Sequence, residues 1–289
     1  MITQYVDLHL HSIHSDGMCT PTELVMMAEA KELRAIALAD HDSVDGIDEA
    51  LAAGAKHGLE VIPALELSVA FRKQSDVHLL GYYIDHHDAT LLAKLENFRG
   101  WRDERVKSIV DRINIRLQGR GKGEVSYEEV LASAKGAVGR PHIGRVLIAK
   151  GVASTMEDAF ARFLGPCNEP KRYFPMHEAL AEIKRVGGVS VLAHPSSITN
   201  NRKELHSLIR ELADMGLGGV EVFNNRCCDD GTRFLETIAT ELGLTMTGGS
   251  DFHSFENDIE MGTGRGGLAV SYRCVEALRE QHLRENRAS

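Results

Sequence analysis

The chain has 289 residues, of which 43% are hydrophobic and 26% are charged, and its formal net charge is −9. This composition is typical of a globular protein with enough chain for a full core, and the acidic balance excludes a generally basic nucleic-acid binder. Five cysteines without a CxxC spacing argue against a disulfide framework. We find neither a signal peptide nor an apolar segment of membrane-spanning length, so we expect a cytoplasmic protein without membrane association.

Strands alternate with helices in the first part of the chain, which predicts a parallel α/β layout. The predicted strands cover 5–11, 34–39 and 60–66, and the predicted helices cover 20–33 and 45–57. Each strand carries or precedes residues that bind metals, namely Asp7, His9 and His11, then Asp40, His41 and Asp42, and finally Glu66. We interpret Asp7 as a residue that orients a ligand. Asp42 either belongs to the site or caps the following helix.

The segment 69–83 interrupts this alternation and predicts a hairpin. Its polar middle, 71–75, fits a turn, and Glu66 and His78 lie equally far from Arg72 in sequence. A hairpin centred near Arg72 would place them roughly opposite each other, where they could share a metal ion.

Residues 88–173 are different in character, because they predict helices with charged faces and contain no buried-strand run. The α/β pattern resumes with helices over 176–186, 203–215 and 231–242 and strands over 189–194, 219–223 and 244–248. We therefore predict an α/β domain formed by 1–87 and 174–289, interrupted by a helical insertion at 88–173.

The candidate ligands are scattered in sequence but lie near the ends of strands, which meet at one rim of an α/β barrel. They are His9, His11, Asp16, His41, Glu66, His78, His194, Asp251 and His253. The set is too large for one ion and predicts two to three divalent ions in a site suited to phosphoester chemistry. Mn²⁺ is favoured, and Zn²⁺ and Fe²⁺ also fit these ligands. The histidines in helical or loop contexts are interpreted as ordinary surface or core residues: His57, His86, His87, His177, His206 and His282.

The order of these motifs resembles that of the polymerase and histidinol phosphatase (PHP) superfamily. The matching motifs are Asp7-Leu8-His9-Leu10-His11-Ser12, Ser15-Asp16-Gly17, Asp40-His41-Asp42, Glu66, His78-Leu79-Leu80-Gly81, Ala193-His194-Pro195 and Ser250-Asp251-Phe252-His253. The resemblance implies a distorted (β/α)₇ barrel and usually a trinuclear metal centre. It assigns one ion to His9, His11, Glu66 and Asp251, a second to Glu66, His78 and His194, and a third to Asp16, His41 and His253. It leaves Asp40 either behind the ligands or as a proton acceptor, so the candidate catalytic residues are Asp40, His194 and Asp251.

The insertion resembles that of the PHP branch containing nucleoside 3′,5′-bisphosphate phosphatases and a 5′-to-3′ exoribonuclease. The matching stretches are 99–105, 139–145 and 171–173, and basic residues are frequent over 99–122, the last two being Arg120 and Lys122. The resemblance implies that this region covers the metal site, so we predict that it binds substrate phosphate through Arg102, Arg105, Arg140, His142 and Lys171. Arg112 and Arg116 fit a solvated helix face equally well.

Three functions are compatible with these observations. The favoured one is a phosphoesterase acting on nucleotides, either on the 3′-phosphate of nucleoside 3′,5′-bisphosphates or on short 5′-phosphorylated RNA from its 5′ end. The alternatives are a histidinol-phosphate phosphatase and, in a different class, a metal-stabilised module that binds RNA or a polymerase without turnover. The intact ligand set counts against the last, and the sequence indicates no obligate protein partner.

Overall fold

The computed structural model describes residues 4–118, 123–134, 138–254 and 258–287, apart from the side chains of 75 and 76. Arg120 and Lys122 lie outside the described residues. The strands are β1 (Tyr5–Leu10), β2 (Ala35–Leu38), β3 (Glu60–Phe71), β4 (Gln74–Tyr82), β5 (Phe174–Pro175), β6 (Val189–Leu192), β7 (Gly219–Asn224), β8 (Thr245–Gly249) and β9 (Val270–Ser271). The α-helices are α1 (Pro21–Ala30), α2 (Ile47–His57), α3 (Ala89–Leu117), α4 (Tyr127–Ala132), α5 (Arg140–Ala149), α6 (Met156–Ala159), α7 (Met176–Arg185), α8 (Arg202–Asp214), α9 (Asp229–Leu242) and α10 (Arg273–Arg287). In this part of the chain, no helix combines the length and hydropathy needed to cross a membrane.

The sheet confirms the predicted α/β barrel. Its strands follow the order β8-β7-β6-β4-β3-β2-β1-β9, with β5 beside β3. The sheet is nearly closed because the chain after β8 returns to β1, where the Asp251 N–H donates to the His9 carbonyl at 2.9 Å. Gly249 permits this approach, since a Cβ at that position would lie 2.4 Å from the His9 Cβ.

The predicted hairpin is formed by β3 and β4, which pair in antiparallel fashion. Its register differs slightly from the prediction, because His78 pairs with Ser68 and Glu66 pairs with Leu80. A register shift between Val69 and Phe71 accompanies this difference. Glu66 and His78 are therefore diagonal rather than direct neighbours, although their side chains still meet.

Local sequence signals account for much of the helical structure around the barrel. Thr20 caps α1, which begins close to the predicted start at residue 20, and Glu23 completes a capping box. The sequence did not predict the short strands β5 and β9 or the helix α10, which packs Val275 and Leu278 into the core beneath the sheet.

The chain divides into two compact units, one formed by Met1–Leu92 and Tyr173–Ser289 and the other by Ala93–Arg172. The second unit has its own core, to which α3 contributes Val106, Ile109 and Ile113. These three residues recur at helical spacing on one face of α3, and they are fully buried.

Candidate metal centre

The predicted ligand side chains of the first unit are brought together at the carboxyl ends of the parallel barrel strands. Three of them lie on the strands themselves: His9 on β1, Glu66 on β3 and His78 on the antiparallel β4. The others lie in the loops that follow β1, β2, β6 and β8, which carry Asp16, His41, His194, and Asp251 with His253. His11 follows β1 directly.

Glu66 lies at the centre of this arrangement and is fully buried. Its Oε2 is 3.2 Å from His9 Nε2, 3.3 Å from His11 Nε2 and 3.0 Å from His41 Nδ1. Its Oε1 is 2.9 Å from His78 Nδ1 and 3.1 Å from His194 Nε2. The two oxygens thus face two different sets of imidazoles, as a carboxylate that bridges two metal ions would.

Two further carboxylates complete the cluster. Asp251 Oδ1 is 3.3 Å from His11 Nε2 and 3.7 Å from His9 Nε2. Asp16 Oδ1 is 3.2 Å from His253 Nε2, and Asp16 Oδ2 is 3.9 Å from His41 Nε2. The cluster therefore has several positions at which imidazole and carboxylate atoms converge.

The ligand atoms form three overlapping groups, within each of which they lie no more than 4.8 Å apart. These groups are His9, His11 and Asp251; then His41, Glu66 and His78; and finally His11, Asp16, His41 and His253. This grouping resembles the assignment drawn from the PHP motifs but differs in detail, because His11 also faces Asp16 and His41 also faces Glu66.

The orientation of three imidazoles fits metal binding. His9 Nδ1 is 2.8 Å from Glu221 Oε1, His194 Nδ1 is 2.9 Å from the Ser197 hydroxyl, and His253 Nδ1 is 2.9 Å from the Asp251 carbonyl. Each Nδ1–H can donate to its acceptor, and in the neutral ring with its proton on Nδ1 the Nε2 lone pair would be directed into the cluster. Metal-binding histidines are commonly fixed in this way.

Several buried atoms of the cluster make no hydrogen bond within the part of the chain that the structure describes, although they approach one another. They are His9 Nε2, both ring nitrogens of His11, Asp16 Oδ1, His41 Nδ1 and Glu66 Oε2. Buried polar atoms are rarely left in this state, and bound metal ions would satisfy them. The donor set therefore fits divalent ions.

The electrostatics of the cluster also favour cations. Burial by itself would raise the pKa of Glu66, but the surrounding imidazoles of His41, His78 and His9 hold it well below its usual range. Burial likewise opposes ionisation of Asp16, whose pKa the imidazoles of His41 and His253 lower well below its usual value. Burial, with the neighbouring imidazoles of His253 and His41, lowers the pKa of His11 to about 3, so its ring is neutral. Ionised carboxylates and neutral imidazole are the forms that bind metals.

Comparison with known proteins identifies the family. The family model for the PHP domain matches residues 7–165, more than half of the chain. The chain belongs to the PHP domain family. It is a phosphoesterase of that family, with a histidine and carboxylate cluster compatible with metal binding.

Its relatives include nucleotide and RNA phosphoesterases. A 5′-3′ exoribonuclease from Haemophilus influenzae is 32% identical over 267 residues, covering 90% of this chain and 94% of the relative. A 3′,5′-nucleoside bisphosphate phosphatase from Chromobacterium violaceum is 30% identical over 254 residues, covering 86% of this chain and 87% of the relative. A crystal structure of a presumed metal-dependent phosphoesterase from Bifidobacterium adolescentis has a TM-score of 0.82 and 30% identity, and the match covers 96% of each chain.

The acidic residues beside the ligands of the PHP motifs organise the backbone. Asp7 Oδ1 accepts from the Ser250 N–H at 2.8 Å and Asp7 Oδ2 from the Gly262 N–H at 2.7 Å, which ties β1 to the segments after β8. Burial raises the pKa of Asp7 to about 6. Asp42 accepts from the Ser68 N–H at 2.9 Å, and α2 begins after Gly46 without a side-chain cap. The alternative interpretation of Asp42 as the helix cap is therefore wrong.

The carboxylate of Asp40 also binds backbone and side-chain groups, in this case those of the loop after β1. Its two oxygens accept from the Ser12 N–H at 2.7 Å, the Ser12 hydroxyl at 2.7 Å and the Ser15 hydroxyl at 2.6 Å. Burial raises its pKa, while these hydrogen bonds oppose that rise. Of the two roles considered for Asp40, this geometry favours a position behind the ligands, where it holds the loop between His11 and Asp16, over that of a proton acceptor.

Sequence reasoning missed Glu221, which is fully buried in the middle of β7. Its Oε1 is the partner of His9, and its Oε2 accepts from the His194 N–H at 2.6 Å. A carboxylate inside the apolar run Gly219–Asn224 is a signal that could have identified it, because a buried acid needs partners.

The candidate substrate residues lie in the insertion unit of this PHP chain. Arg105 Nε donates to the Glu169 carbonyl at 2.8 Å, and the buried His142 accepts from the Gly139 N–H at the start of α5. The Arg140 guanidinium lies 5.5 Å from the centroid of the Phe160 ring. Arg112 forms an ion pair with Glu169, a contact within its own unit.

Proposed function

We propose that this chain is a metal-dependent phosphoesterase acting on nucleotides. Its substrates would be nucleoside 3′,5′-bisphosphates, from which it removes the 3′-phosphate, and short 5′-phosphorylated RNA, which it shortens from the 5′ end. The observation that carries the proposal is the buried Glu66, whose two oxygens face imidazoles from five different positions in the chain. The names of the relatives support the nucleotide and RNA substrates.

Two to three divalent ions, Mn²⁺ by preference, would be held by His9, His11, Asp16, His41, Glu66, His78, His194, Asp251 and His253. Bound ions would draw negative charge from the phosphate oxygens and bring the pKa of a water molecule near neutrality. His194 and Asp251 act as ligands in this proposal. Asp40 is a positioning residue, because its hydrogen bonds fix the loop that carries Asp16.

We assign recognition of a second phosphate to the insertion, through Arg102, Arg105, Arg140, His142 and Lys171. Arginine suits this role because its planar guanidinium can donate two hydrogen bonds to one phosphate. Arg105 is held by the Glu169 carbonyl and His142 by the Gly139 N–H, so both side chains have fixed positions within the insertion.

The deciding experiment compares three substrates with the purified protein and Mn²⁺: adenosine 3′,5′-bisphosphate, a 5′-phosphorylated oligoribonucleotide and histidinol phosphate. Turnover of the first or second, lost in His194→Ala, is the expected result. Preferential turnover of histidinol phosphate would replace the proposed substrate class. Absence of turnover on all three at saturating Mn²⁺ would contradict the proposal and favour a binding module.

Arg140→Ala tests the assignment to the insertion. Loss of a charged hydrogen bond costs roughly 1.5–3 kcal/mol, so kcat/KM for the nucleoside bisphosphate should fall by on the order of ten- to a hundredfold. p-Nitrophenyl phosphate, which has no second phosphate, should be hydrolysed almost as before. An equal loss on both substrates would show that Arg140 serves the chemical step or the fold.

A further inference from the structure

Arg226 lies in the loop after β7, at the same end of the barrel as the metal ligands. This loop is well anchored, because the Asn225 side-chain amide donates to the Ser250 carbonyl and its oxygen accepts from the Arg265 N–H at 3.2 Å. The Arg226 N–H donates to Asn224 Oδ1 at 2.9 Å. The backbone at Arg226 is thus fixed by neighbouring residues and does not depend on its own side chain.

The Arg226 guanidinium adjoins the cluster through Asp251. Arg226 Nη2 donates to Asp251 Oδ2 at 3.3 Å, whereas Asp251 Oδ1 faces His9 and His11. One oxygen of Asp251 therefore faces the histidines of the cluster, and the other accepts a hydrogen bond from the arginine. Within the described part of the chain, the Arg226 side chain makes its hydrogen bond to Asp251. The side chain is 53% exposed. A guanidinium has five N–H donors, so most of them remain available.

We propose that Arg226 binds an anionic oxygen of the phosphate ester held at the metal centre. The inference rests on the proposed function and adds a specific phosphate-binding residue from the barrel unit. A half-exposed cation in contact with a metal ligand is placed to receive the substrate, and its planar fork can contact Asp251 and a phosphate oxygen together. Arg226 and the insertion residues would bind different phosphates. Arg226 would bind the phosphate undergoing hydrolysis, which every substrate carries, whereas the insertion residues would bind the second phosphate.

The test uses the full-length protein saturated with Mn²⁺ and inorganic phosphate as the probe. Isothermal titration calorimetry should show phosphate binding about ten- to a hundredfold weaker in Arg226→Met than in the wild type, the range expected for a lost charged hydrogen bond. Arg226→Lys should recover part of this loss, because it keeps the charge but not the fork. The KM for p-nitrophenyl phosphate should rise in parallel.

Arg265→Met is the matched control, because Arg265 is similarly exposed and its side chain pairs with Asp258 rather than with a ligand. It should bind phosphate as the wild type does. Unchanged phosphate affinity in Arg226→Met would overturn the inference. So would an affinity loss that disappears at higher Mn²⁺, since Arg226 would then act only by positioning Asp251. If the wild type binds phosphate but hydrolyses no nucleotide, the proposed function fails while the binding comparison still decides the role of Arg226.

Discussion

Glu221→Gln is the sharpest test of how the metal centre is organised. In the wild type, one oxygen of Glu221 accepts from His9 Nδ1–H and the other from the His194 N–H. A glutamine keeps one acceptor and introduces an amide donor. Because the backbone N–H of His194 can only donate, the glutamine oxygen must remain there, and its NH₂ group then faces His9 Nδ1.

This exchange changes the tautomer of His9. Its Nδ1 must become the acceptor, so the proton moves to Nε2, the atom that faces Glu66 and Asp251. A protonated Nε2 cannot bind a metal ion. Loss of such an orienting partner typically costs ten- to a hundredfold in metal affinity, which corresponds to roughly 1.4–2.8 kcal/mol.

The assay is a titration of metal-free protein with Mn²⁺ against a competing chelator. Glu276→Gln makes the same chemical change at an exposed position of α10 and should leave Mn²⁺ affinity unchanged. In a His9→Ala background, Glu221→Gln should have a much smaller effect, because its main target is gone. Wild-type Mn²⁺ affinity in a correctly folded Glu221→Gln protein would refute the reasoning.

Three further results are expected. Gly249→Ala places a Cβ against His9 and should lower the free energy of unfolding by about 1–3 kcal/mol and weaken Mn²⁺ binding, whereas Gly267→Ala, which has open space around it, should do neither in urea unfolding and metal titration. Asp251→Asn should abolish turnover at saturating Mn²⁺ with an unchanged circular dichroism spectrum, since asparagine tolerates the left-handed backbone at this position; retained activity would remove Asp251 from the site. Burial raises the pKa of Cys274 to about 11, above the value of 9.0 in the unfolded chain. The protonated thiol therefore contributes to the free energy of unfolding in full below pH 9.0, and this contribution, up to about 3 kcal/mol, is lost as the pH rises through about 11. Urea unfolding at alkaline pH should show a smaller loss in Cys274→Ala, and identical pH profiles would contradict this assignment.

The barrel could be predicted because its strands are short apolar runs that end in polar ligand types. Alternation placed His9, and the polar segment 71–75 placed the hairpin of Glu66 and His78. The register error of that hairpin arose because the turn lies between Phe71 and Gln74 rather than on Arg72 and because the strand is irregular between Val69 and Phe71. The helix α10 was missed because charged residues dominate its sequence, and only a narrow face containing Cys274, Val275 and Leu278 is buried.

The partners of the ligands were harder to predict than the ligands. Glu221 and Arg226 lie far in sequence from the residues they contact, and no local motif links them to His9 or Asp251. Their roles depend on which strand ends lie side by side, which is a property of the closed sheet. The substrate residues of the insertion were proposed from charge and resemblance, and they stay a prediction.

The backbone at two candidate ligands, His194 and Asp251, adopts an unusual conformation that the fold supports. His194 has φ 26° and Asp251 has φ 56°, in the left-handed region that costs a non-glycine residue roughly 1–2 kcal/mol. Each is held there by a hydrogen bond from its own N–H, to Glu221 Oε2 for His194 and to the His9 carbonyl for Asp251. The acceptors belong to β7 and β1, so strand packing supports the strained positions. These two hydrogen bonds, with the packing of β7 and β1, offset part of the cost of the left-handed backbone at His194 and Asp251.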